Sequence, residues 1–116
     1  MQQTIQWDFS NRPTDPKDRF EQFHNANPHV YVEILKRSTQ LKNVGVRVFG
    51  MQALLEAMRF DYTIRTAGGD FKLNNDHAAF YSRKLMIEHN EFRGMFHLRK
   101  SVADRYPEYQ LKETHE

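Results

Sequence analysis

The chain has 116 residues, of which 39% are hydrophobic and 28% charged, and its net charge is only +2. This composition is typical of one globular domain and excludes both a disordered chain and a strongly cationic, histone-like protein. The absence of cysteine excludes disulfides, thiolate catalysis and cysteine-type zinc sites. No apolar run is long enough to cross a membrane, and the polar start does not resemble a signal peptide. We therefore expect a cytoplasmic protein with no membrane partner.

The first part of the chain predicts an arm followed by a helix. Residues 1–14 are mostly polar and contain Pro13, which disfavours a helix, so we expect an arm anchored to the core by Trp7 and Phe9. The helical domain is expected over residues 15–100. Asp15 can accept hydrogen bonds from the first backbone amides of a helix, and Pro16 fits the first helical position. Phe20 and Phe23 are expected on the inner face of this helix.

A second helix is predicted to begin at Asn27, as the N-cap, and Pro28. Gly45 is suited to the left-handed conformation that ends a helix. The apolar stripe that should face the core follows helical spacing and comprises Tyr31, Ile34, Leu35, Ser38 and Leu41.

A short extended segment from Val46 to Phe49 is predicted to lead into a third helix. The core positions expected in that helix are Met51, Leu54, Leu55 and Met58. The glycine pair at 68–69 then predicts a turn. Ile64 before it, and Phe71 and Leu73 after it, alternate with polar residues, which predicts a short β-hairpin.

A fourth helix is predicted from about His77 to His89, capped by one of the residues 74–76. Its inner face should contain Ala78, Tyr81 and Leu85. Residues expected to close the core after it are Phe92, Met95, Phe96 and Leu98. Residues 101–116 carry two basic and four acidic side chains and are expected to form a polar, acidic tail that frays. The predicted fold is a mainly α, small single domain, helix-turn-helix-like or winged-helix-like, with one short β-hairpin.

Two segments, FHNANPHVY and FKLNN, resemble a group of small, mostly uncharacterised proteins encoded by phages and prophages. Members pair an FHxxNPHVY-like segment with a downstream FK[LI]NN that precedes a helix containing tyrosine and arginine. The resemblance covers roughly residues 20–100 and implies a phage or prophage origin. Asp76 stands where members often have a third asparagine.

The region around the fourth helix predicts contact with nucleic acid. Residues 44–100 carry nine lysines and arginines against six acidic residues, and a helix N-terminus favours an anion such as phosphate. The candidate nucleic-acid-binding residues are Lys72, Asn74, Asn75, His77, Ser82, Arg83, Lys84 and Arg65. We expect Arg83 and Lys84 to be exposed on a recognition helix. Helix capping alone is the simpler interpretation of residues 74–76 and is preferred for them, because such caps are common.

Other motifs give weaker predictions. In MRFDYTIR the aromatic and basic residues could stack on bases, but core packing of Phe60 beside an exposed Tyr62 is the preferred interpretation. The glycine pair at 68–69 lacks the spacing of a phosphate-binding loop. The spacing of the histidines and of Glu56 and Asp61 predicts no metal site and no catalytic pair, so neither a cofactor nor a catalytic residue is assigned.

Three functions remain open from the sequence. The leading hypothesis is binding of duplex DNA by a phage or prophage accessory or regulatory protein. The alternative is a protein-interaction module that binds and inhibits a host protein, and a small nuclease is a distant third. The sequence leaves the oligomeric state open.

Overall fold

A computed structural model of the protein describes residues 15–68 and 75–111. The expected arm, residues 69–74 of the expected turn and hairpin, and residues 112–116 lie outside the described residues. The four helices of the described ranges are α1 (Pro16–Ala26), α2 (Pro28–Asn43), α3 (Met51–Arg65) and α4 (Asn75–Glu88). Three 3₁₀ turns follow at Asn90–Phe92, Val102–Arg105 and Pro107–Tyr109. The prediction of a compact, mainly helical domain is confirmed.

The start of α1 is the one predicted from Asp15 and Pro16. Asp15 Oδ1 accepts hydrogen bonds from the backbone N–H groups of Lys17 at 2.9 Å and Asp18 at 3.2 Å. Pro16 occupies the first helical position, where no backbone donor is needed. The local capping signal was therefore sufficient to place this helix end.

Asn27 lies at the junction of α1 and α2, but its side chain does not cap α2 as predicted. Its Nδ2 instead donates a hydrogen bond of 3.0 Å to the carbonyl oxygen of Phe23, in the last turn of α1. Asn27 is completely buried. The carbonyl oxygen of Phe23 also accepts a hydrogen bond from the backbone N–H of Asn27 at 2.9 Å, so Asn27 closes the last turn of α1 with both its backbone and its side chain. The predicted boundary is confirmed, whereas the predicted role of the side chain is wrong.

Asn27→Asp tests this buried donor directly. Aspartate is as good an N-cap as asparagine, so a capping role predicts no loss of stability. Aspartate cannot donate to the carbonyl of Phe23 and brings a charge into a buried position, so we expect the free energy of unfolding to fall by about 1–3 kcal/mol. Urea denaturation followed by circular dichroism measures the change. Asn90→Asp, the same substitution at an exposed residue, is the control. Equal midpoints for Asn27→Asp and the parent would contradict the donor role.

Helices α2 and α3 end in the same way, with a left-handed residue after the last turn. Gly45 has φ of +89°, as predicted, and Val46 N–H donates to the carbonyl of Leu41 at 3.0 Å. At the end of α3, Ala67 and Gly68 have positive φ, and Gly68 N–H donates to the carbonyl of Thr63 at 2.9 Å.

This helix end shows that the first side of the predicted β-hairpin is wrong. Ile64, expected on its first side, is inside α3 and 66% exposed. The helix continues through Ile64 because its last turn is closed by these capping hydrogen bonds. The second side of the expected hairpin, at Phe71 and Leu73, lies outside the described residues. In the described ranges the extended backbone makes one isolated parallel bridge, between Phe49 and Phe96.

Helix α4 is the centre of the core. Ala78, Tyr81 and Leu85 are buried as predicted, and so are Phe80 and Met86. No described side chain from Asp76 to Met86 is exposed, because α1, α3 and the segment that follows α4 all pack against it. The predicted core residues of α3 are also buried, with Leu54 at 4% and Leu55 at 2% exposure.

The two aromatic residues of MRFDYTIR have the reverse of the predicted positions. Phe60 is 66% exposed, whereas Tyr62 is half-buried and packs against the core. The inner face of α3 runs through Leu55, Met58 and Tyr62, which share one side of the helix at spacings of three and four residues. Phe60 is two positions away from this face and therefore points outward.

The predicted fraying of the C-terminal tail is wrong up to Leu111. Tyr109 is 7% exposed, and its hydroxyl donates to Glu21 Oε2 in α1 at 3.0 Å. The Tyr106 hydroxyl is 3.1 Å from Asp15 Oδ1, and its ring packs at the edge of the core. Net charge alone suggested a free tail, but the tyrosine rings bury enough apolar surface to hold this segment in place.

Candidate nucleic-acid interface

Arg83, predicted to be exposed, is 2% exposed. Its guanidinium Nη2 lies 2.7 Å from Asp104 Oδ1 and also donates to the carbonyl of Arg99 at 3.0 Å, and Nη1 donates to the carbonyl of Ala79 at 3.0 Å. The planar group, with five N–H donors, satisfies all three partners at once. Arg83 therefore attaches the segment after α4 to the helix itself, and the prediction of an exposed recognition helix is wrong at this residue.

The hydrogen bonds to Asp104 also affect its acidity. The backbone N–H of Ser101 donates to Asp104 Oδ2 at 2.9 Å, and this bond contributes most to lowering the pKa of the Asp104 carboxyl. Burial raises that pKa, whereas the adjacent Arg83 lowers it further. Asp104 is consequently ionised at neutral pH and serves as the counter-ion of Arg83.

The other candidate residues on α4 have local partners. The ring of His77, which is 4% exposed, packs 4.9 Å from the ring of Phe23. Ser82 is buried, and its hydroxyl donates to the carbonyl of Ala78 at 2.9 Å. Lys84 is half-buried, with Nζ 2.7 Å from Glu88 Oε2.

Of the four remaining candidates, two lie within the described residues. Arg65 is exposed in the last turn of α3. Asn75 is the first residue of α4, and Lys72 and Asn74 lie outside the described residues.

An open cleft of about 780 Å³ lies where α3 begins, beside α4 and the segment that follows it. Gly50, Met51 and Gln52, at the start of α3, form one side. The residues from α4 are Asp76, Ala78, Ala79, Ser82 and Arg83, and the opposite side is formed by residues 97–102. Two predicted site residues, Ser82 and Arg83, are thus brought together in this cleft.

The cleft has a positive electrostatic character. His97, Arg99 and Lys100 are exposed on its rim. Gly50, the N-cap of α3, provides no side chain to cap the first amides, so the partial positive charge of the helix N-terminus is not offset there. Among the described residues that line the cleft, only Asp76 has a carboxylate.

Of the segment HLRK, residues 97–100, only Leu98 was predicted from the sequence to have a role, in core closure, and the place of this segment in the cleft was missed. Phe49 N–H donates to the carbonyl of Met95 at 2.8 Å, and Phe49 and Phe96 form the parallel bridge. This pairing places the segment that follows Phe96 beside the first residues of α3. The excess of basic residues in this half of the sequence was the available signal, but it does not specify where the side chains meet.

The described residues contain no cluster of three or more histidine, aspartate or glutamate side chains able to hold a metal ion. Over the same ranges, no helix combines the length and apolarity needed to cross a membrane. Comparison of the chain with protein-family models, with curated proteins and with solved structures found no match.

Proposed function

We propose that this protein binds duplex DNA, with backbone phosphates held in the basic cleft. The observation that carries the proposal is the pair of exposed cations, Arg99 and Lys100, beside the uncapped N-terminus of α3. Cationic side chains and free helix amides are the groups with which proteins hold phosphates. The hydrogen bond from Arg83 to the carbonyl of Arg99 also holds in place the backbone of the segment that carries these two cations.

The proposed unit is helix-turn-helix-like and comprises α3 and α4, in an accessory or regulatory protein of a phage or prophage. Because α4 has no exposed face between Asp76 and Met86, the proposed contact is not made along that helix. The DNA meets the beginning of α3 and the segment 97–100 instead. This geometry favours phosphate contacts, which determine affinity and position, over extensive reading of base edges.

Fluorescence anisotropy with a labelled duplex at several salt concentrations tests the proposal. The variant Arg99→Ala/Lys100→Ala should bind DNA more weakly than the parent. Its plot of log affinity against log salt should be shallower by about two units if each side chain contacts one phosphate. Both residues are exposed, so circular dichroism should show an unchanged fold.

The matched control is Lys36→Ala/Arg105→Ala, which removes the same charge at two exposed residues that do not line the cleft. We expect it to retain the salt dependence of the parent. Equal weakening in both double variants would indicate a general charge effect and contradict binding in the cleft. A parent protein that does not bind duplex DNA at low salt would overturn the proposed function itself.

A further inference from the structure

The outer face of α3 is an exposed apolar stripe, formed by Ala53, Ala57, Phe60 and Ile64. All four residues are exposed, and Phe60 and Ile64 are each 66% exposed. Their spacing of four, three and four residues places them on one side of the helix. The opposite side of α3 is already packed in the core. Two bulky apolar side chains on successive turns of a well-packed helix are typical of an interface.

We propose that this stripe pairs with the same stripe of a second copy of the chain, with the two α3 helices antiparallel across a two-fold axis. The size of the side chains favours this partner. The first half of the stripe is small, with Ala53 and Ala57, and the second half is large, with Phe60 and Ile64. An antiparallel pair centred between residues 58 and 59 brings Phe60 against the partner's Ala57 and Ile64 against the partner's Ala53. Each bulky side chain then meets a small one, as close helix packing requires.

The charges beside the stripe fit the same orientation. Glu56 and Arg59 lie on one flank of α3, where their side chains are 3.7 Å apart and about half exposed. In an antiparallel pair related by a two-fold axis, this flank of one copy lies beside the same flank of the other copy, with the order of the residues reversed. With the pair centred between residues 58 and 59, the two Arg59 side chains lie near the axis. The partner's Glu56 lies about 3 Å further along the helix from each of them, on its outer side. In a parallel pair, Phe60 would face the partner's Phe60 and Ala57 the partner's Ala57, so bulky side chains would meet bulky ones. The flanks that carry Glu56 and Arg59 would also lie on opposite sides of the interface, so the parallel arrangement is disfavoured.

The small area of the stripe limits the affinity expected for the dimer. One pair of helices buries less surface than the roughly 1,000 Å² that marks a stable interface. We therefore expect a dimer in the micromolar range or weaker, whose population depends on protein concentration. The inference does not depend on DNA binding, because the stripe and the cleft use different residues of α3.

Two charge-reversal variants test the pairing by sedimentation velocity over a concentration series without DNA. In the Glu56→Arg variant, residues 56 and 59 are both arginine, so two arginines of each copy face two arginines of the other. In the Arg59→Glu variant both residues are glutamate, so two glutamates face two glutamates. Each variant alone should dimerise at least about tenfold more weakly than the parent, because like charges then face each other. An equimolar mixture of the two variants restores both opposite-charge pairs. The mixture should therefore dimerise as the parent does, which a merely destabilising substitution would not produce.

Lys36→Glu, a charge reversal at an exposed residue of α2, should leave the dimer unchanged, and circular dichroism should show the helical content of all variants retained. Two results would overturn the proposal. One is a parent that remains monomeric throughout the concentration series. The other is a pair of variants that each dimerise as well alone as they do when mixed.

Discussion

Truncation of Phe20 to alanine is expected to lower the free energy of unfolding by about 3–5 kcal/mol. Phe20 is completely buried, and its ring lies at the centre of an aromatic cluster. The ring centroid of Phe20 is 5.0 Å from that of Phe80, 4.7 Å from that of Tyr81 and 5.9 Å from that of Tyr109. The substitution would leave a cavity where α1, α4 and the C-terminal segment meet. Urea denaturation monitored by circular dichroism measures the loss.

Phe60→Ala is the matched control for this experiment. It removes the same atoms from a residue that is 66% exposed, so at dilute protein concentration we expect a change within about 0.5 kcal/mol. A Phe20→Ala variant that unfolds at the same urea concentration as the Phe60→Ala variant would contradict the packing of α1 against α4.

Arg83→Ala is expected to destabilise the protein by about 3 kcal/mol, since it removes the buried side chain that joins α4 to Asp104 and to the carbonyl of Arg99. Arg83→Lys should recover only part of this loss, because a single ammonium cannot reproduce the planar set of donors. Thermal or urea unfolding of the two variants gives the comparison. Lys84→Ala, on the next residue of α4, should change stability by at most about 1 kcal/mol.

A double-mutant cycle with Asp104→Ala separates the ion pair from the packing of the arginine stem. We expect a coupling energy of about 1–3 kcal/mol between the two substitutions. Asp104 is half-exposed, which places the expected value below that of a fully buried pair. A coupling energy near zero would show that Arg83 stabilises the fold through its aliphatic atoms and its hydrogen bonds to the carbonyls of Ala79 and Arg99, and not through Asp104.

The helix ends could be predicted from the sequence because their signals are local. Pro16 and Pro28 mark helix starts, and Gly45 ends α2, through backbone conformations that neighbouring residues alone determine. The core positions Leu54 and Leu55 followed from helical periodicity for the same reason. These features need no knowledge of what packs against the helix.

The site could not be predicted to the same extent, because its determinants are distant in sequence. Arg83 is buried only because Asp104, 21 residues later, provides a counter-ion. Periodicity also fails for α3, which is apolar on both sides, so the pattern cannot distinguish the core face of Tyr62 from the outer face of Phe60. The cleft depends on the path that brings residues 97–100 past the start of α3, and no local motif encodes that path.

The hydrogen bonds from Tyr106 to Asp15 and from Tyr109 to Glu21 join residues 91 and 88 positions apart. Helix α1 leaves the ribosome well before the rings that cover Phe20, which belong to Phe80, Tyr81 and Tyr109. The nascent chain must therefore expose the apolar side of α1 throughout most of its synthesis, when chaperones have access to it. Closure of such a long loop is also a slow step of folding. A message truncated before the codon for Tyr109 would produce a chain that contains all four helices but cannot complete its core.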